Sequence, residues 1–157
     1  MRGNDKVLAY LNEVLKAELT AINQYFLHAE MCDNWGYKRL GDHTKKESIE
    51  EMKHAELCIE RLLLLEGTPV MDQLFTLKIG ATVKEQIKSD LALEIAAVAR
   101  LNQAIKTAVE TGDNGSRDLF EKILTDEETH IDWLEAQLHV IQEIGIENYL
   151  AQQMHED

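Results

Sequence analysis

Two short phrases in the sequence combine a carboxylate with an imidazole. Glu51 is followed three residues later by His54, and Glu127 by His130. Residues three apart on a helix share a face, so each pair offers two ligands to one point. Glu18 and Glu94 complete a regular arrangement. Adding 76 to 18, 51 and 54 gives 94, 127 and 130. Each half of the chain therefore supplies one Glu and one Glu-x-x-His. A carboxylate buried alone is costly and is retained when it is paired or binds a metal. Four carboxylates in one apolar interior would repel one another, and cations would neutralise them. Oxygen-rich ligands with two imidazoles suit iron or manganese and accept zinc.

Whether these residues are buried depends on the elements that carry them. In the first segment Leu11, Leu15, Glu18, Ile22, Tyr25 and Ala29 recur at gaps of four and three, one face of a bundle helix. The spacing predicts a first helix over Asp5 to Asn34 and a second over Asp42 to Glu66, with Gly67 as C-cap followed by Pro69. A third helix is predicted over Val83 to Thr111, with the face Ile87, Leu91, Glu94, Val98, Leu101, Ile105, Ala108. A fourth begins after Asp113-Asn114-Gly115 with Ser116 as N-cap. Its face reads Phe120, Leu124, Glu127, Ile131, Leu134, Leu138, Ile141. Gly145 ends it, and Ile146 to Met154 form a short fifth helix.

The first and second helices, and the third and fourth, are joined by short links and are antiparallel neighbours. The middle link, Gly67 to Val83, is long enough to cross the bundle. One long crossover between two helix pairs is the ferritin-like pattern, an all-α four-helix bundle. Two halves related by an approximate two-fold would then build a site for two metals. One Glu from each of two helices and a Glu-x-x-His from each of the others is the di-iron carboxylate arrangement. The bland alternative is that a single Glu-x-x-His lies on a solvated face. Against it, Glu18, Glu94 and Glu127 each have apolar neighbours at helical spacing on both sides.

Composition sets the outer limits. The 157 residues make one domain, spanning 1–157. Lys and Arg number 16 against 29 Asp and Glu, a formal charge of −13, which argues against gripping nucleic-acid phosphates. No stretch is apolar enough to span a membrane, and Met1 to Asp5 carry no signal-peptide pattern. Cys32 and Cys58 form no CxxC pair and read as reduced thiols, which with the missing leader predicts a cytoplasmic protein.

A residue adjacent to Glu51 points about 100° away from the metal face. That residue is Met52. Ile49 and Ile59 continue its outward stripe, and Leu19, Asn23 and Phe26 form a similar one on the first helix. A helix with two apolar stripes faces something besides its own core, which predicts a subunit interface.

Several runs resemble the bacterioferritins. Ala21-Ile22-Asn23-Gln24-Tyr25-Phe26-Leu27-His28 looks like their first helix, and Glu51-Met52-Lys53-His54-Ala55 like their second-helix signature. Ser89-Asp90-Leu91, the run Glu128 through His130-Ile131-Asp132-Trp133-Leu134-Glu135, and Asn148-Tyr149-Leu150 continue the likeness over essentially the whole chain. The resemblance implies iron storage and ferroxidase activity in a 24-subunit homo-oligomeric shell, built from dimers around a ferric mineral core. It implies that Glu18, Glu51, His54, Glu94, Glu127 and His130 ligate a di-iron centre, with Glu51 and Glu127 as bridges. Dioxygen or peroxide would be the oxidant. Tyr25 lies two turns after Glu18 on the same stripe, and a redox role and a packed core tyrosine are both open for it. The resemblance further implies that Met52 from each of two subunits ligates one haem b. Without CxxCH, that haem is held non-covalently. A ferredoxin would be the reductant for iron release, and a second shell subunit type is the remaining partner expectation.

The sequence also departs from the family. Lys45 and Lys46 stand where many bacterioferritins have an aromatic and a histidine, so an inner-wall iron site with Glu50 is in doubt. Cys58 replaces a frequent aromatic, so electron relay there is not expected. His28, His43, His139 and His155 fit no ligand pattern and read as surface residues. Rival classes fit less well. A rubrerythrin-like peroxidase usually adds paired CxxC motifs, absent here. A DNA-protecting mini-ferritin places its ligands across a subunit interface, whereas one chain here holds the whole set. A non-haem ferritin or a structural shell subunit are the remaining alternatives.

Overall fold

The computed structural model describes residues 1–155. Five helices make up most of it: α1 (Asp5–Asn34), α2 (Lys38–Leu64), α3 (Val83–Glu110), α4 (Asn114–Ile144) and α5 (Ile146–Gln153). The chain folds as a ferritin-like four-helix bundle with a short fifth helix. α1 packs most extensively on α2, and α3 on α4. Among the described residues, no helix is long and apolar enough to cross a membrane.

Local chemistry sets the helix ends. Asn4 caps α1 by accepting from Lys6 N–H, and Thr82 caps α3 by accepting from Glu85 N–H. α4 starts earlier than its sequence suggests. Asp113, not Ser116, is its N-cap and accepts from Ser116 N–H at 2.9 Å. α2 also starts earlier, at Lys38 rather than Asp42. Gly41 lies inside the helix, at a point where α1 passes too close for a side chain. A Cβ at Gly41 would fall 3.2 Å from the Ala29 carbonyl and directly onto the Asp33 carboxylate. At the other end of α2, Glu66 rather than Gly67 takes the left-handed backbone position, at φ 61°. Gly67 N–H then bonds to Leu62 O at 2.8 Å, which closes the helix. A Cβ at Gly67 would meet Leu8 Cδ2 at 2.9 Å, so a side chain there would require Leu8 to shift.

The crossover between α2 and α3 has no regular structure, yet its backbone is not left unpaired. It climbs alongside α1, and α1 side chains accept its N–H groups in order. Val70 donates to Asn12, Phe75 to Thr20, Lys78 to Gln24 and Gly80 to His28. The Phe75 ring is held by Lys16 at 4.3 Å and Arg100 at 4.6 Å. The strap thus runs parallel to α1, so α2 and α3 point the same way, as one long crossover requires.

The core is divided in two. One apolar cluster includes Leu11, Leu15, Cys58, Leu62, Leu101, Phe120 and Ile123. The other, at the α5 end, includes Leu40, Ile87, Leu134, Ile141 and Tyr149. Between them lies a buried polar layer. On α3 the true inward stripe is Ile87, Asp90, Glu94, Ala97, Leu101, Ala104, Ala108, while Leu91, Val98 and Ile105 are half-buried. The sequence face was tilted toward large apolar residues. Ala97, Ala104 and Ala108 are buried there instead.

Candidate metal centre

The polar layer contains the six duplicated residues. Glu18 comes from α1, Glu51 and His54 from α2, Glu94 from α3, and Glu127 and His130 from α4. The four glutamates are at most 2% exposed. The fold brings all six together as two overlapping groups. Glu18, Glu51, His54 and Glu127 form one, and Glu51, Glu94, Glu127 and His130 the other. Within each group the ligand atoms lie within 4.8 Å of one another. Glu51 and Glu127 belong to both.

Both imidazoles turn Nδ1 inward. His54 Nδ1 lies 3.1 Å from Glu127, 3.5 Å from Glu18 and 3.6 Å from Glu51. His130 Nδ1 lies 3.0 Å from Glu51, 3.6 Å from Glu94 and 3.7 Å from Glu127. Both turn Nε2 outward to a further carboxylate. Asp126 Oδ2 is 2.8 Å from His54 Nε2, and Glu47 Oε2 is 2.5 Å from His130 Nε2. Sequence reasoning missed Glu47 and Asp126, because neither belongs to the duplicated set and each reads as a solvated charge.

The electrostatics describe a site built for cations. Burial, and then the Glu127 charge, push the Glu18 carboxyl up to about 7. Burial also holds Glu51, Glu94 and Glu127 above the usual carboxylate range, reinforced by their mutual repulsion. Burial opposes a charge on His54 and His130, but the surrounding carboxylates outweigh it and raise both. Several buried atoms are left without a hydrogen-bond partner: Glu18 Oε2, both Glu51 oxygens, Glu94 Oε2, Glu127 Oε1, Nδ1 of both histidines and, behind His130, Glu47 Oε2. Buried polar atoms are normally satisfied, so unpaired atoms converging from four helices need an explanation. Oxygen and imidazole donors at this spacing fit one or two hard or borderline metal ions.

Tyr25 is also in this layer, 3% exposed, and its phenol donates to Glu94. Met52 lies elsewhere. It is 53% exposed on the outer face of α2, with Ile49 beside it in sequence and Phe26 on α1 equally exposed. Two members of the expected outward stripes, Leu19 and Ile59, instead pack half-buried against the core. His28 is not a surface residue. It is 1% exposed, with Nδ1 2.9 Å from Asp90 and Nε2 accepting from Gly80 N–H. Gln24 also donates to Asp90, at 2.8 Å. His43 is half-buried, stacked on Trp133 with ring centres 3.7 Å apart. His139 and His155 are exposed, as are Lys45 and Lys46, and Glu50 pairs with Lys53. Cys58 is a free, fully buried core thiol.

A bundle with one long crossover and a carboxylate–imidazole layer across its middle is the ferritin-like class of protein. Residues 8–144 match the ferritin-like domain family. The chain is 51% identical over 152 residues to the bacterioferritin of Mycolicibacterium paratuberculosis, covering 97% of this chain and 96% of that one. It is 45% identical over 151 residues to the bacterioferritin of Streptomyces coelicolor, covering 96% and 90%. It is 43% identical over 155 residues to a bacterial ferritin of Synechocystis, covering 98% and 99%. The chain belongs to the ferritin-like family and, within it, to the bacterioferritins. Iron storage is the function that goes with that membership.

Proposed function

We propose that the chain, as one di-iron domain, is a ferroxidase that oxidises Fe(II) and deposits a ferric mineral inside a 24-subunit shell. The observation that carries this is the buried, duplicated set of carboxylates and imidazoles with unpaired atoms facing one another. Ferrous iron is the substrate. Glu18 and His54 hold one ion, Glu94 and His130 the other, and Glu51 and Glu127 bridge them. Two ferrous ions give one electron each, and dioxygen takes up two electrons and two protons to leave as peroxide; peroxide as oxidant takes two more of each to give water. The protein groups hold both ions in one water-poor layer, so both electrons are available together. The four carboxylates balance the rising metal charge, and Tyr25 orients Glu94 and lies within reach for electron exchange.

Other parts of the reading draw on the outer surface. Met52 would hold a haem b where two subunits meet, its thioether being a credible ligand for haem iron. Its exposure beside Ile49 and Phe26 supports that placement. Haem bound there would supply electron transfer for the release of stored iron, with a ferredoxin as the reductant. The protein works in the cytoplasm, as a homo-oligomer or with a second shell subunit type. The charge of −13 gives shell and cavity a field that draws in ferrous iron.

The direct test is stopped-flow oxidation of added ferrous iron. Glu18→Ala and His130→Ala should each slow it at least about tenfold, as removal of a reacting-site ligand does. Rates equal to wild type would overturn the ferroxidase assignment.

A further inference from the structure

The six central residues repeat at a shift of 76, but the carboxylates behind the imidazoles do not. By that shift Asp126 corresponds to Glu50, and Glu47 to Ile123. Glu50 is turned away to Lys53 Nζ at 3.3 Å, and Ile123 is fully buried in the apolar core. The outer partner of His54 therefore comes from the residue next to bridging Glu127. The outer partner of His130 comes from one helical turn before bridging Glu51. Their surroundings also differ. The Asp126 side chain is 54% exposed, whereas that of Glu47 is 22% exposed and its other oxygen lies 3.3 Å from His43 Nε2.

We infer that Glu47 and Asp126 are positioning residues that make the two metal positions unequal, the Glu94–His130 position being the tighter. The inference rests on the metal-centre reading above. An imidazole that gives its Nδ1 lone pair to a metal carries its proton on Nε2. A carboxylate accepting that proton fixes the tautomer and the ring rotation, and makes Nδ1 a better donor. Such a charge-assisted bond is strongest where water is excluded. Glu47 Oε2 lies at the shorter distance and in the drier place, off the line of the His130 N–H in the metal-free chain, whereas Asp126 already stands in hydrogen-bond geometry to His54. Asp126 sits where solvent screens it. The two-fold ligand set is thus tuned unequally by partners that break the repeat. An ordered filling of the two positions follows, tighter position first.

The test is calorimetric titration of the whole metal-free protein with Co²⁺, followed in parallel by visible absorption. A His54→Ala/His130→Ala double variant gives the background of cobalt bound elsewhere. Wild type should take up two Co²⁺ per chain in two resolved steps above that background. Glu47→Gln should weaken the tighter step about 10–100-fold, the range for loss of an outer partner, and leave the other unchanged. Asp126→Asn should weaken only the weaker step, by less than about tenfold. His54→Ala identifies the surviving step as the Glu94–His130 position. Glu47→Asp, with the charge kept but the reach shortened, should fall between wild type and Glu47→Gln. Thermal unfolding of the metal-free variants should match wild type. Two identical steps in wild type, or either variant weakening both steps equally or neither, overturn the inference. Wild type binding no cobalt above background defeats the metal-centre reading itself.

Discussion

Glu94 shows how a buried carboxylate in this layer is held. One of its oxygens accepts from the Tyr25 phenol and the other has no partner. Burial, and then the Glu94 charge, raise the Tyr25 phenol well above its usual value, so it stays a neutral donor. Tyr25→Phe removes that donor and leaves a second unpaired oxygen. We expect a loss of about 1–2 kcal/mol of stability, measured by chemical unfolding of the metal-free protein. We expect slower oxidation of ferrous iron as well, since the phenol lies against a proposed ligand. Lower stability with an unchanged oxidation rate would make Tyr25 a packed, hydrogen-bonded core residue and nothing more. The six duplicated residues could be read from the sequence because their chemistry lies in side-chain type and a constant shift. Glu47, Asp126 and His28 could not. Their partners depend on the phase of neighbouring helices, and a charged or imidazole side chain looks the same on a solvated face and behind a ligand.

The helices are tied to one another at their ends as well as through the core. Arg61 near the end of α2 reaches Asp113, the cap of α4, at 2.7 Å, and donates from Nε to Ser116 at 3.0 Å. Asp113 also accepts from the Ser116 hydroxyl at 2.7 Å. Burial works against the Asp113 charge, but its bonds to Ser116 and Arg61 prevail and hold the carboxyl below its usual value. Asp113→Ala should cost about 1–2 kcal/mol, the upper part of the range for a lost N-cap, because Arg61 also loses its partner. The pH dependence has a definite sign. A carboxyl that is more acidic folded than unfolded stabilises fully above its unfolded value and loses that contribution as pH falls through the folded one. The gap between wild type and Asp113→Ala should therefore be flat from neutral pH down to about 5 and shrink below about 4. Denaturant melts over a pH series check both statements. α1 and α5 were predicted nearly as they stand, because their ends carry Asn4, Gly36 and Gly145. The start of α2 was not, since Gly41 is kept for close helix contact rather than for a turn. The inward stripe of α3 was shifted for a related reason. Ala97 and Ala104 are small where helices meet, and hydrophobic size is then a poor guide to burial.

At the scale of the whole molecule, one chain leaves many large apolar side chains exposed. Phe26, Ile49 and Met52 are exposed along the outer side of α1 and α2. Trp35 and Ile146 are exposed beside a groove that Leu150, Val83 and Ile141 also line. Contiguous exposed apolar surface is uncommon on a monomer, so surface of this kind suits contacts between subunits. Haem ligation and apolar packing on the Met52 face can be separated by one substitution. Met52→Leu preserves the apolar face and removes the thioether. If Met52 ligates haem and the surrounding face joins the subunits, the variant should lose its Soret absorbance and still scatter light as a particle many times the mass of one chain. Loss of the particle together with the absorbance would mean that haem, rather than the apolar face, holds the pair together. Unchanged absorbance in Met52→Leu would remove Met52 as the haem ligand. The same sample without haem in wild type, after growth with ample haem, would define the chain as a shell subunit whose outward methionine serves packing alone.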